Sequence, residues 1–121
     1  MNWHHAGIEV ENLERSAAFY EKVFGFKARS CLKLEEEKII FMACGSIVIE
    51  LIGNSEQITA SSNLHLAWEV EDLSYWMDHI EECGLKPLEG PYSLDSGLTV
   101  IFYKGPDGEV IELVSQRTGV Y

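Results

Sequence analysis

The sequence predicts an α+β fold made of two paired βαβββ modules, and three observations predict it. First, "HHAGIEVENL" at 4–13 returns as "LHLAWEVEDL" at 64–73, with His5 matching His65, Glu9 matching Glu69 and Leu13 matching Leu73. Second, Val48-Ile49-Glu50-Leu51 returns letter for letter as Val110-Ile111-Glu112-Leu113, and Ile40-Phe41 returns as Ile101-Phe102. Third, a glycine-closed helical pattern follows the first strand of each half. Several matches in one order at nearly one offset mark an internal repeat.

The elements follow in chain order. Residues 3–10 and 64–70 alternate apolar and polar side chains, the mark of a half-buried strand. Asn12 or Ser16 opens a first helix, in which Leu13, Ala17, Tyr20 and Phe24 recur at helical spacing and Gly25 follows as the stop. Asp72 or Ser74 opens a second through Trp76, Met77 and Ile80 to Cys83, closed by Gly84. Strands are predicted at 26–34, 38–43 and 46–52, and again at 85–91, 98–104 and 109–115. Gly105-Pro106-Asp107-Gly108 signals a turn before the last one. The segment "EGPYSLDSGL" at 89–98 reads as a loop. The two modules, 1–53 and 63–117, are joined by a polar linker over 54–62 and count as one domain spanning 1–121.

With 121 residues the chain has the size of a single domain and needs no disulfide staples. The hydrophobic fraction of 46% and charged fraction of 24% are ordinary for a soluble globular protein. A net charge of −11 disfavours nucleic acid and anionic membranes, which need basic surfaces, and is compatible with a divalent cation. Cys31, Cys44 and Cys83 have no metal-knot spacing and read as reduced, mostly buried thiols. No run of some 18 apolar residues occurs, and the N-terminus lacks a leader pattern, so the expected location is cytoplasmic.

Strand alternation decides which side chains matter. His5, Gly7 and Glu9 share one face of the first strand, and His65, Ala67 and Glu69 share the same face of its repeat. The opposite faces are more apolar and suited to lie under a helix. Glu50 and Glu112 each stand between apolar residues on their own face, where an isolated carboxylate is unfavourable and a cation relieves the penalty. Taken singly, a strand histidine is most often a packing residue. Taken together, His5, Glu50, His65 and Glu112 form a repeat-matched set suited to one divalent metal ion, with one His–Glu pair from each module. His4, which falls on the apolar face, and His79 have no repeat partner and read as structural or surface residues. Glu9 and Glu69 read as rim or supporting residues, and the aromatic helix residues as core.

"HHAGIEVENLERSAAFYEKVFGF" and "DGEVIEL" resemble the vicinal oxygen chelate superfamily, which includes glyoxalase I, methylmalonyl-CoA epimerase, extradiol dioxygenases, fosfomycin-resistance enzymes and bleomycin-binding proteins. The resemblance spans nearly the whole chain. It implies curved sheets that form a cup around a divalent metal (Ni, Zn, Co or Mn), held by His5, Glu50, His65 and Glu112. This ligand set looks most like bacterial glyoxalase I, because epimerases typically have Gln at the place of Glu50, and dioxygenases and fosfomycin enzymes use two His and one Glu. The implied activity is that of a lyase or isomerase acting on a small vicinal-oxygen substrate such as a thiol hemithioacetal. Glu112, or else Glu50, would move the proton. Glu9, Glu69 and Tyr92 are candidate substrate contacts. A homodimer is expected, as relatives of this size commonly pair. Alternatives on the same scaffold are an epimerase, a thiol transferase, a dioxygenase, or a non-enzymatic small-molecule or metal-binding resistance protein. Where glyoxalase I has an Arg four residues after its first ligand His, this chain has Glu9, which disfavours glutathione as the thiol.

Overall fold

A computed structural model describes residues 1–34, 36–54 and 64–116. The chain divides into two compact units, Met1–Ser61 and Ser62–Tyr121. The joining segment expected over 54–62 lies, beyond Asn54, outside the described residues.

The first unit contains β1 (Ala6–Val10), α1 (Leu13–Phe24), β2 (Lys27–Leu34), β3 (Glu37–Cys44) and β4 (Ile47–Asn54). Its sheet order is β1-β4-β3-β2, with β1 and β4 parallel and the remaining pairs antiparallel. The second unit repeats this plan with β5 (His65–Glu69), α2 (Leu73–Glu82), β6 (Glu89–Ser93), β7 (Leu98–Lys104) and β8 (Val110–Gln116), in the order β5-β8-β7-β6. The chain is thus an α+β protein of two βαβββ units. Among the described residues, no helix is long and apolar enough to cross a membrane.

Local chemistry sets the helix ends. The Asn12 side chain accepts a bond from the Arg15 N–H at 2.9 Å, and Asp72 accepts one from Tyr75 N–H at 3.0 Å. These are matching N-caps, each satisfying an otherwise orphaned donor. Gly25 closes α1 at φ 77°, a left-handed conformation that glycine adopts without a Cβ penalty. The buried stripe of α1 is Leu13, Ser16, Tyr20, Val23 and Phe24, so Ser16 rather than Ala17 occupies the second inward position. α1 packs on β2, β3 and β4, and α2 on β8.

The cores lie between each helix and its sheet. In the first unit Ile8, Val10, Met42, Ile49 and Leu51 are buried; in the second, Ile80, Ile101, Tyr103, Ile111 and Leu113 are. Each fully buried aliphatic side chain contributes about 1.5–3 kcal/mol relative to exposure. In β1, Ile8 and Val10 are buried, and in β5, Leu66 and Trp68 are half-buried, whereas Gly7, Glu9, His65, Ala67 and Glu69 on the opposite faces are exposed.

Three expectations require correction. The stretch read as a loop contains β6, whose pairing with β7 shifts register between Glu89 and Tyr92 around Pro91. Proline lacks an N–H to donate and is tolerated there because β6 is an edge strand. The predicted strand at 85–91 correspondingly begins later, at Glu89. All three cysteines are free, but Cys31 is exposed and the other two are only half-buried. Cys31 lies on edge strand β2, which is exposed along its full length.

Candidate metal centre

Each unit brings one histidine and one glutamate together through the parallel register of its first and last strands. Gly7 stands opposite Glu50, so the two share a face of the sheet. His5 Nε2 is 3.7 Å from Glu50 Oε1. In the second unit Ala67 stands opposite Glu112, and His65 Nε2 is 2.7 Å from Glu112 Oε1. The shorter distance is a hydrogen bond and the longer one is proximity without a bond. His65 lies inside its strand ladder, opposite Val110, whereas His5 directly precedes β1.

A third residue completes each pair. Phe41 is the partner of Glu50 across β3, and Phe102 is the partner of Glu112 across β7. The His5 ring stands edge-on to Phe41 at 5.2 Å, and the His65 ring edge-on to Phe102 at 6.0 Å. The glutamate side chains retain 18% and 16% of their exposure. Each carboxylate is therefore held beside an imidazole and an apolar ring, with little water, where a cation is attracted more strongly than at an open surface. These phenylalanines belong to the repeat that the sequence displays as Ile40-Phe41 and Ile101-Phe102, which is the signal by which they can be found.

Nitrogen and carboxylate oxygen donors suit a first-row divalent ion. Among the described residues, no three or more His, Cys, Asp or Glu side chains are gathered closely enough to hold one. A Cβ at Gly7 would stand 3.2 Å from Glu50 Oε1, so the glycine leaves room beside that carboxylate.

His4 takes a different place from the one expected. It is exposed, because β1 begins only at Ala6 and strand alternation does not reach it. Its Nδ1 lies 2.6 Å from His5 Nδ1, with the rings edge-on at 4.9 Å. One of these nitrogens must donate to the other. When His5 donates from Nδ1, its Nε2 presents a lone pair on the Glu50 side. His79 stacks on Tyr75 and meets Trp76 edge-on, and is a packing residue of α2.

The candidate substrate contacts form cross-strand rows beside the pairs. Glu69, Val114, Val100 and Tyr92 run across the second sheet in register, next to the row of Glu112 and Phe102. Glu9 opens the matching row of the first unit, opposite Ile52. Glu9, Glu69 and Tyr92 are all exposed.

This repeated architecture has known counterparts. The chain is 30% identical over 125 residues to a lactoylglutathione lyase of Neisseria meningitidis serogroup A, an alignment covering 95% of this chain and 91% of that one. It is 27% identical over 114 residues to the metallothiol transferase FosB of Bacillus licheniformis, covering 90% of this chain and 71% of that one. A crystal structure of a glyoxalase family protein from Enterococcus faecalis shares the fold, with a TM-score of 0.83 and 24% identity over 94% of this chain and 97% of that one. Residues 2–113 match the sequence profile of one family across both units, and the chain belongs to that family, the Glyoxalase/Bleomycin resistance protein/Dioxygenase superfamily.

Proposed function

We propose that this protein is a divalent-metal-dependent lyase or isomerase of the glyoxalase I type, acting on a small vicinal-oxygen substrate such as the hemithioacetal of a 2-oxoaldehyde. The observation that carries the reading is the doubled pairing of His5 with Glu50 and His65 with Glu112, each backed by a phenylalanine. In this reading the four residues hold one nickel, zinc, cobalt or manganese ion, which when bound supplies Lewis-acid polarisation of the substrate's paired oxygens.

The residues then divide the work. Glu112 takes the proton from one carbon and returns it to its neighbour, a role that contributes roughly 10²–10⁴-fold in rate. Its Oε1 stands 2.7 Å from His65 Nε2, so the two donors of this unit are already side by side. Glu50, which makes no such close approach to His5, is the second choice for the proton and the first choice as a fixed ligand. Phe41 and Phe102 keep water from both carboxylates. Glu9 and Glu69, one row along, face the far end of the substrate. The working form is a homodimer in this reading.

A second reading is metal-dependent thiol transfer, favoured by the likeness to the metallothiol transferase and by Glu9 in place of an arginine. One experiment separates the two. The chain is loaded with each metal, its metal content measured by elemental analysis, and assayed with methylglyoxal adducts of several thiols and with fosfomycin plus a thiol. The lyase reading expects one ion per chain and metal-dependent isomerisation that Glu112→Gln removes even when enough metal is supplied to fill the site. Thiol consumption with fosfomycin and no isomerisation supports the second reading. Bound metal with neither turnover overturns both.

A further inference from the structure

His79 and Cys83 stand one turn apart at the end of α2, and Cys83 Sγ lies 3.8 Å from His79 Nε2. Both residues are half-buried. The internal repeat shows that packing does not require this pair. Leu13 and Tyr20 of α1 match Leu73 and Ile80 of α2, and Tyr20 and Ile80 are both fully buried, so the two helices keep one register. In that register Phe19 and Val23 occupy the places of His79 and Cys83. Apolar side chains fill both positions in the first unit. The second unit puts a nitrogen donor and a sulfur donor there together.

The surroundings hold both donors. The His79 ring lies parallel to Tyr75, at 1° and 6.1 Å between centroids, and meets Trp76 edge-on at 5.7 Å. The Cys83 N–H donates to the His79 carbonyl at 3.0 Å, and Gly84, at φ 88°, turns the chain directly after it. A metal ion bound at ~2.3 Å from a thiolate and ~2.0 Å from an imidazole spans their 3.8 Å separation with an S–metal–N angle of about 120°. Closing that to the tetrahedral angle needs an approach of about 0.3 Å. The last turn of a helix presents carbonyl oxygens without intrahelical partners, and its partial negative charge favours a cation. The pair lies on the helix side of the second sheet. Glu112, which alternates with the buried Ile111 and Leu113, faces the other side.

We infer that His79 and Cys83 form a second metal site, apart from the His–Glu pairs, for a thiophilic divalent cation of the zinc and cobalt type. His79 gives the lone pair of Nε2, and Cys83 releases its thiol proton to solvent and binds as the thiolate. Among the described residues no third His, Cys, Asp or Glu side chain joins them, and water fills the remaining positions. An imidazole and a thiolate select such ions over magnesium and calcium, which prefer oxygen donors.

The test is a titration of the full, reduced chain with cobalt(II), followed by near-ultraviolet absorption. A thiolate on cobalt gives a sulfur-to-metal charge-transfer band, which His5, Glu50, His65 and Glu112, having no sulfur, cannot produce. The band is expected to saturate, to be bleached by added zinc, and to persist in Cys31→Ser and in His65→Ala. Cys83→Val, which copies the first unit, should abolish it. His79→Phe, which also copies the first unit, should weaken the cobalt binding read from the band at least roughly tenfold, the lower end for a supporting residue. Cys83→Ser and His79→Gln serve if thermal unfolding shows that either variant folds poorly. No band at ~1 mM cobalt, a concentration that detects even millimolar affinity, would overturn the site. So would a band that survives the loss of Cys83 or disappears with Cys31, or undiminished affinity in the His79 variants.

Discussion

His65 holds its Nε2 2.7 Å from Glu112 Oε1, while the matching atoms of His5 and Glu50 stand 3.7 Å apart. The same register thus gives one hydrogen-bonded pair and one open pair.

If the four residues share one ion, removing any of them should weaken metal binding beyond what loss of a supporting residue does. His5→Ala and His65→Ala should lower metal affinity by more than about 100-fold, the upper end for supporting residues. His4→Ala removes only the ring against His5 Nδ1 and should lower it by about tenfold or less. Competition with a chromogenic chelator measures all three. Equal losses for His4→Ala and His5→Ala would count against His5 as a ligand.

Gly105 should tolerate no side chain. A Cβ built there stands 2.5 and 2.6 Å from the two carboxylate oxygens of Glu109, a residue only 1% exposed. Glu109 also accepts a bond from the Asp107 N–H at 2.8 Å, which fixes the turn that delivers Glu112 into β8. Gly105→Ala should destabilise the second unit by about 1–3 kcal/mol through overpacking, read from chemical denaturation. A variant of parent stability would show that the Glu109 carboxylate moves freely.

The Tyr103 phenol sets an alkaline limit on stability. Its folded-state value lies above the ordinary 10.0, first because it is buried and then because Glu81 is near. Its contribution is fully present below that ordinary value and is lost as pH rises through the folded one, where a buried phenolate must form. Tyr103→Phe should therefore flatten the fall in unfolding free energy above about pH 10. Identical alkaline profiles for parent and variant would contradict this.

Glu9 should select against glutathione adducts. It is exposed, on the face of Gly7 and Glu50, and roughly 13 Å along the chain from His5 at strand rise. That distance corresponds to the far end of a substrate. A carboxylate there repels the glutamyl carboxylate that an arginine would attract. Glu9→Arg should lower KM for a glutathione hemithioacetal and leave kcat and metal content near the parent's. Efficient parent turnover of that adduct, with no gain in the variant, would return glutathione as the leading thiol.

Much of the candidate site was legible in advance because a strand has a period of two. For His65, Glu50 and Glu112, which lie inside strands, alternation sets the face, and the repeat carries the match to His5 just ahead of β1. The N-caps were legible as a choice between Asn12 and Ser16 and between Asp72 and Ser74, and the structure selects Asn12 and Asp72, each bonded to a backbone N–H three residues away. His4 and His5 both precede β1, where alternation no longer places a side chain, and the strand expected over 85–91 lies instead at Glu89–Ser93, where Pro91 and a register shift obscure the pattern.

By itself, then, the sequence determined the two-unit plan, the helix starts, the buried faces and the matched His–Glu pairs, all of which depend on neighbours a few residues apart or on the repeat. Only the tertiary structure decided which pair is hydrogen-bonded, that Phe41 and Phe102 back the two glutamates, that His4 meets His5, and that the Tyr103 hydroxyl is sealed without a partner. These facts depend on cross-strand register and on side-chain geometry at the scale of an ångström, and the same alternating pattern is compatible with either outcome.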